Sequence, residues 1–265
     1  MFSVESRVLL AGKKIYFASD FHLGIDGNFT SAERENIIVQ WLDQIKKDAA
    51  ILFLLGDQFD YWFEYKEVIP KGFVRLLGKL AEFTDHGIEV NVFTGNHDMW
   101  MFTYLQKEIG VTLYKNPVIF NIGETRFLIG HGDGLGPGDH GYKFIKKVFN
   151  HPVCQWLFAR IHPNSGIGIM KYFSSKSRLL NHNESWDENT EWLVKFSEDY
   201  IKQDFVDFLV FGHRHLVIDY LLKNNKSRYI NLGDWFTYFS FGEYENNRFS
   251  LKFYRSENEI KITNH

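Results

Sequence analysis

The sequence predicts an α/β fold, and three observations carry the prediction. Ile51-Leu52-Phe53-Leu54-Leu55 is an unbroken apolar run, the pattern of a strand buried on both faces of a covered parallel sheet. Two further strand-like runs flank it, at residues 14–19 and 88–93, and the intervening segments carry apolar residues at helical spacing. Each of the three runs ends in a polar loop holding Asp or Asn, at the carboxyl end of the strand, where open α/β sheets place their chemistry.

The first core strand, residues 14–19, runs into Asp20-Phe21-His22-Leu23-Gly24. Ser31 stands as the N-cap of a helix to about residue 47, with Ile37, Ile38, Trp41, Leu42 and Ile45 as one apolar stripe. The central strand follows and ends in Gly56-Asp57-Gln58-Phe59-Asp60. A second helix spans roughly 70–84, with Phe73, Leu76, Leu77 and Leu80 on one face. The third strand, 88–93, ends in Gly95-Asn96-His97-Asp98. Strands and helices of these lengths make a right-handed parallel βαβαβ unit.

Beyond a short helix near 99–107 the pattern turns to strands. Residues 118–122 and 125–130 pair through Gly123-Glu124, and the second runs into His131-Gly132-Asp133. Phe208-Leu209-Val210-Phe211 leads to Gly212-His213-Arg214-His215. Residues 216–222, 227–232, 235–241 and 248–254 then read as antiparallel strands joined by Gly or Asn turns.

Residues 139–183 interrupt this pattern. No Asp or Glu occurs at 140–183, in a chain with 33 acidic residues. Lys143, Lys146, Lys147, Arg160 and Lys171 alternate there with Phe144, Phe149, Trp156, Tyr172 and Phe173. Apolar residues recur at three and four, predicting two or three short helices broken at Pro152 and Pro163. The chain thus divides into a core domain, 1–138 and 184–265, and a helical lid, 139–183. A basic and apolar surface suits an acidic lipid and an anionic bilayer surface. Packing of its aromatics against the core is the plainer alternative.

Composition sets the outer limits. Hydrophobic content of 45% and aromatic content of 17% are those of a globular protein with a full core. A formal net charge of -3 gives no global attraction to nucleic acid. Cys154 is the one cysteine, which excludes an intramolecular disulfide and a thiolate metal cluster. No secretory leader or spanning stretch is legible, so the chain is expected in the cytoplasm.

The five strand-end loops supply oxygen and imidazole ligands: Asp20 and His22, Asp57, Asn96 and His97, His131, and His213 with His215. Positions i and i+2 of a strand share a face, so 20/22 and 213/215 each converge if extended geometry persists past the strand. Asp, Asn and neutral His without thiolate suit divalent manganese, iron or zinc. The set exceeds the needs of one ion, so two ions sharing a carboxylate is the economical arrangement. Such a pair, about 3.5–4 Å apart, activates water and clamps the attacking and leaving oxygens of a phosphoryl group. His86, His140, His151, His162, His182 and His265 match no loop of this kind and read as structural or surface residues.

Asp20-x-His22, Gly56-Asp57-x-x-Asp60, Gly95-Asn96-His97-Asp98, His131-Gly132-Asp133 and Gly212-His213-x-His215 resemble, in order, the blocks of the calcineurin-like metallophosphoesterase superfamily. The resemblance implies a four-layer α/β/β/α sandwich and two divalent ions, with manganese the first expectation. It implies that Asp20, His22, Asp57 and His215 hold one ion and that Asp57, Asn96, His131 and His213 hold the other. His97 is then catalytic and faces the substrate phosphate, oriented by Asp98, with Asp60 behind a ligand imidazole.

Within the superfamily the chain resembles the UDP-2,3-diacylglucosamine hydrolases of lipid A synthesis, through Asp139-x-x-Tyr142 and the helical segment ending near Ser175-Lys176. Better-known members carry arginine where this chain has His97. The resemblance implies hydrolysis of an acylated UDP-sugar to UMP and 2,3-diacylglucosamine 1-phosphate. It implies substrate contacts from Asn96, His97, Asp139, Tyr142, Ser175 and His213, with the lid enclosing the acyl chains. It also implies peripheral association with the cytoplasmic face of the inner membrane, with neither nucleic acid nor an obligate protein partner. The alternatives are a metallophosphodiesterase or nuclease acting on another nucleotide, on DNA or on a phospholipid-like substrate, and a non-catalytic interaction module, which predicts eroded ligands.

Overall fold

The computed structural model describes residues 2–138, 140–180, 186–188 and 190–255, with backbone alone for 175–180. In chain order the first elements are β1 (Ser3–Arg7), β2 (Lys14–Ala18), α1 (Ser31–Ile45), β3 (Ala49–Leu55), α2 (Val74–Asp85) and β4 (Glu89–Phe93). A π-helical turn at Leu105–Ile109 precedes β5 (Thr112–Tyr114), β6 (Val118–Ile122) and β7 (Thr125–Ile129). Three helices follow, α3 (His140–Phe149), α4 (Pro152–Phe158) and α5 (Pro163–Leu180). The chain continues through α6 (Trp192–Ile201), β8 (Phe208–Phe211), β9 (Val217–Leu221), β10 (Arg228–Leu232), β11 (Ser240–Glu245) and β12 (Arg248–Phe253).

These strands form two mixed sheets, ordered β12-β11-β2-β3-β4-β5 and β1-β6-β7-β8-β10-β9. β2, β3 and β4 are parallel neighbours, as the sequence pattern requires. β3 alternates between two apolar layers: Ile51, Phe53 and Leu55 enter the space between the sheets, while Leu52 and Leu54 meet α1 and α2. Between the sheets Phe53 stacks on Phe17 at 5.2 Å and meets Phe120 of the opposite sheet edge-on at 4.9 Å. On the far side α6 lays Leu193 and Val194 against Leu209, Phe211 and Ile218. The expected four-layer α/β/β/α sandwich is the observed fold.

Local chemistry shifts several boundaries. Thr30, not Ser31, caps α1: its hydroxyl accepts from Glu33 N, and the Glu33 carboxylate reaches back to Thr30 N. Ser31 instead accepts from Gly24 N at 2.8 Å, tying the helix to the loop after β2. α2 begins at Val74 because Phe73 has φ 61, and a carboxylate oxygen of Glu35 in α1 accepts from Arg75 N and Leu76 N. The expected strand at 235–241 starts only at Ser240. Asp234 Oδ1 accepts from the amides of Phe236, Thr237 and Tyr238 and winds that stretch into a turn. The short helix expected near 99–107 is reduced to the π-helical turn, ended by Gly110 at φ 80.

Pro152 and Pro163 each open a helix, so the segment after residue 139 holds three, broken where the prolines stand. It is fastened to the core by Phe63, Met99 and Trp100 packed with Phe158 and Met170. Trp100 Nε1 also donates to Phe149 O at 2.9 Å. Phe144, Trp156, Leu157, Tyr172 and Phe173 remain exposed. Among the described residues no helix is long and apolar enough to cross a membrane.

Candidate metal centre

The loops after β2, β3, β4, β7 and β8 meet at one end of the two sheets and are laced by backbone hydrogen bonds. Asp20 N donates to Gly56 O, His22 N to Asp57 O and Gly212 N to His131 O. The buried Arg34 guanidinium props the first loop from beneath, donating to the carbonyls of Phe21, His22 and Ile25.

Extended geometry does not persist into these loops. Asp20, His22, Asp57, His213 and His215 all have positive φ, at 57, 44, 55, 69 and 52°. This left-handed backbone costs about 1–3 kcal/mol per strained residue and concentrates at functional sites. Asp20 and His22 still converge, through the kinks. His213 and His215 instead part company and serve two different clusters.

The first cluster is Asp20, His22 and His215. His22 Nε2 and His215 Nε2 are 3.3 Å apart, and Asp20 Oδ1 lies 3.3 Å from His215 Nε2 and 3.7 Å from His22 Nε2. The second is Asp57, His131 and His213. His131 Nε2 stands 3.3 Å from Asp57 Oδ2 and 3.1 Å from Asn96 Oδ1. The same Asp57 oxygen lies 3.8 Å from His22 Nε2, so it faces both clusters.

This donor set fits divalent cations. Asp20 Oδ1 is buried and makes no hydrogen bond, a costly state for a carboxylate oxygen unless a cation meets it. The contact of His131 Nδ1 with Leu55 O at 2.6 Å leaves neutral His131 with its lone pair at Nε2, against the Asn96 and Asp57 oxygens. A proton or a metal ion has to stand between these acceptors. The loops leave no room for side chains behind the ligands: a Cβ on Gly95 would overlap Asp57 Oδ1, and one on Gly56 would fall 2.5 Å from His131 Nδ1.

Protonation follows the same electrostatics. Burial alone would raise the Asp20 carboxyl, but the His215 charge holds it well below the carboxylate range. Burial opposes charge on His131, yet Asp57 pushes its pKa up to about 10. His22, against the same opposition, is raised to about 8 by Asp20, Asp60 and Asp57. His213, desolvated and beside His131, is pushed down to about 4. The carboxylates thus draw positive charge inward, and metal binding would displace protons from these imidazoles.

His97 adjoins the first cluster, its ring edge-on to His22 at 4.9 Å. Asp98 does not orient it. That carboxylate accepts from Gly95 N at 2.7 Å and from the amides of Asp57 and Phe59 at 3.3 Å, bracing the loop after β4 on the loop after β3. Burial and neighbouring Asp57 push its pKa up to about 7. Asp60 stands against the ring instead: its carbonyl lies 3.2 Å from His97 Nδ1, and its Oδ1 lies 3.4 Å from His22 Nδ1.

Tyr142, expected on the substrate, gives its hydroxyl to Asp133 Oδ2, which also pairs with Lys146 and ties α3 to the His131 loop. Asp139 and the Ser175 side chain lie outside the described residues. Sequence reasoning passed over Asp234, whose Oδ2 is 3.3 Å from His215 Nδ1. Gly233-Asp234 after β10 repeats the strand–Gly–Asp pattern of Gly56-Asp57, and that was its signal. Arg214, between His213 and His215, was also passed over. It donates to Glu191 at 2.8 Å and lies 4.1 Å over the Trp192 ring, pinning its loop to α6.

Comparison with known proteins adds a family. A model described as calcineurin-like phosphoesterase matches residues 13–217. A protein of Porphyromonas gingivalis named UDP-2,3-diacylglucosamine hydrolase is 36% identical over 247 residues, spanning 88% of this chain and 94% of that protein. One of the same name from Aeromonas salmonicida is 26% identical over 222 residues, 83% of this chain and 85% of that one. Among solved structures, Yfce, a phosphoesterase from E. coli, is similar with a TM-score of 0.47 at 16% identity, covering 93% of this chain and 95% of that chain.

Proposed function

This chain belongs to the calcineurin-like phosphoesterase family, and from that premise we propose that it hydrolyses the pyrophosphate of UDP-2,3-diacylglucosamine. The products are UMP and 2,3-diacylglucosamine 1-phosphate, and the pathway served is lipid A synthesis. One observation supports the chemistry: Asp57 Oδ2 faces His131 Nε2 at 3.3 Å and His22 Nε2 at 3.8 Å, where its carboxylate would serve an ion in either cluster. The relatives' names suggest the substrate.

In this reading Asp20, His22, Asp57 and His215 hold one ion, and Asp57, Asn96, His131 and His213 the other. Two such ions, manganese first with iron or zinc as alternatives, would polarise the phosphoryl oxygens and furnish a water nucleophile at neutral pH. The protein's part is orientation. Leu55 O lies 2.6 Å from His131 Nδ1, and the carboxylates of Asp234 and Asp60 lie 3.3 and 3.4 Å from the Nδ1 atoms of His215 and His22, on the side of each ring away from Nε2. His97 contacts the phosphoryl group or the leaving oxygen, and Asn96 and His213 stand beside it. The helical segment serves as the lid over the acyl chains. Its exposed aromatic and basic residues rest on the anionic cytoplasmic face of the inner membrane.

The test is hydrolysis of UDP-2,3-diacylglucosamine by manganese-loaded protein, with a small chromogenic phosphodiester in parallel. UMP release that stops on chelation supports the reading. Turnover of the small diester alone removes the lipid substrate and keeps the metal chemistry.

A further inference from the structure

Ser174 is 7% exposed although its neighbours Tyr172 and Phe173 in α5 are open to solvent. A buried serine within a helix commonly returns its hydroxyl to a carbonyl of its own helix. Ser174 reaches out of the helix instead. Its hydroxyl donates to Asp60 Oδ2 at 2.7 Å, and its Oγ lies 3.1 Å from His97 Nδ1. With the hydroxyl proton given to Asp60, Oγ presents a lone pair to the ring, which meets it as Nδ1–H. The Asp60 carbonyl, 3.2 Å from the same nitrogen, also demands a donor there. Nε2, on the opposite edge of the ring, makes no hydrogen bond among the described residues. Asp60 meanwhile uses its other oxygen, Oδ1, on the ligand His22 at 3.4 Å.

We propose that Ser174 is a positioning residue for His97. Its hydroxyl closes the chain from the His97 ring through Oγ to Asp60, so the ring is held in its working orientation only while α5 is seated. The lid therefore completes the site as well as covering it. The inference deepens the phosphoesterase reading and rests on it for the role of His97, while the hydrogen-bonded chain stands on the geometry.

The test uses Ser174→Ala, Ser174→Cys and Ser174→Thr in the full chain, with two readouts. In metal-free protein, long-range proton–nitrogen NMR should show the His97 ring as the Nδ1–H tautomer. The Ala and Cys variants keep the Asp60 carbonyl as an acceptor and should hold that tautomer, but with one of its two anchors gone the ring signals should shift and broaden, and Thr, which keeps the hydroxyl, should restore them. In manganese-loaded protein, kcat for the small phosphodiester should fall about tenfold to hundredfold in Ala and Cys, as for a misplaced catalytic group. KM should stay within about twofold, because orientation rather than binding is lost. Cysteine nearly keeps the shape of serine, so a wild-type His97 signal and kcat in Ser174→Cys would overturn the proposal and leave Ser174 a packing residue. Should the wild type turn over no phosphoester, the function is wrong, and the NMR readout still decides the positioning.

Discussion

Asp234 Oδ2 stands 3.3 Å from His215 Nδ1, while the other oxygen of the same carboxylate caps the turn at Phe236–Tyr238. The two oxygens have separable duties, and two substitutions separate them. Asp234→Asn keeps an acceptor for the turn and loses the charge behind His215. Metal affinity should fall about tenfold to hundredfold, with the melting temperature nearly unchanged. Asp234→Ala should lower both, the stability by about 1–2 kcal/mol as for a lost side-chain cap. A competitive chelator titration beside a thermal melt distinguishes them. Equal affinity in Asn and wild type would mean that the imidazole needs no anionic partner.

The position of Asp57 makes stoichiometry its own test. Wild-type protein should bind two divalent ions per chain, since one oxygen of Asp57 faces both clusters. Asp57→Asn should bind one or none, and Asp57→Ala and His131→Ala should lose hydrolysis with the fold retained. Elemental analysis after dialysis reads the first, and circular dichroism beside the assay reads the second. Two ions retained in Asp57→Asn would remove the shared-carboxylate arrangement.

The site was legible in sequence as residue types and not as geometry. Apolar runs ending in Asp, Asn or His marked five loops, because strands buried on both faces have little freedom in composition. The path of the backbone beyond those strands was hidden. Asp20, His22, Asp57, His213 and His215 turn left-handed, a conformation with no signature when the residue is Asp or His and not Gly. Asp98 and Asp60 could not be told apart by spacing, for only the fold decides which carboxylate meets amides and which meets imidazoles. β1 escaped because Ser3–Arg7 is a half-exposed edge strand with two charged residues, its Arg7 held by Glu5 and Glu89. β5 has too few residues to show a period, and α6 lies where charged residues dilute the apolar stripe.

Two glycines predict opposite outcomes for the same substitution. A Cβ on Gly95 would overlap Asp57 Oδ1 and crowd the Asp57 amide. Gly95→Ala should therefore cost about 1–3 kcal/mol of stability, as overpacking does, and displace the Asp57 carboxylate. Gly78 lies inside α2, and a Cβ there meets nothing within 4 Å. Gly78→Ala should add about 0.5–1 kcal/mol by restricting the unfolded chain. Urea melts measure both. A neutral Gly95→Ala with full metal binding would mean that the loops yield more readily than their close approach implies.

The exposed aromatic residues of the helical segment put the proposed membrane association to the test. Lys146 pairs with Asp133 and Lys143 Nζ donates to Gly136 O, so both lysines hold the His131 loop and neither is a clean probe of the surface. Phe144 is 68% exposed and Trp156 55%, and burying two such rings in a lipid headgroup region is worth a few kcal/mol at about 25 cal/mol per Å². The paired substitution Phe144→Ser and Trp156→Ser should weaken binding to vesicles rich in anionic phospholipid by more than tenfold, about 1.4 kcal/mol. Hydrolysis of a small soluble phosphodiester should be unaffected, since neither ring is buried in the core or joins the metal clusters. Sedimentation with vesicles and the diester assay on the same preparation decide the matter. Unchanged sedimentation would detach the aromatic face from the membrane, and equal loss in both assays would show that these residues support the fold of the lid.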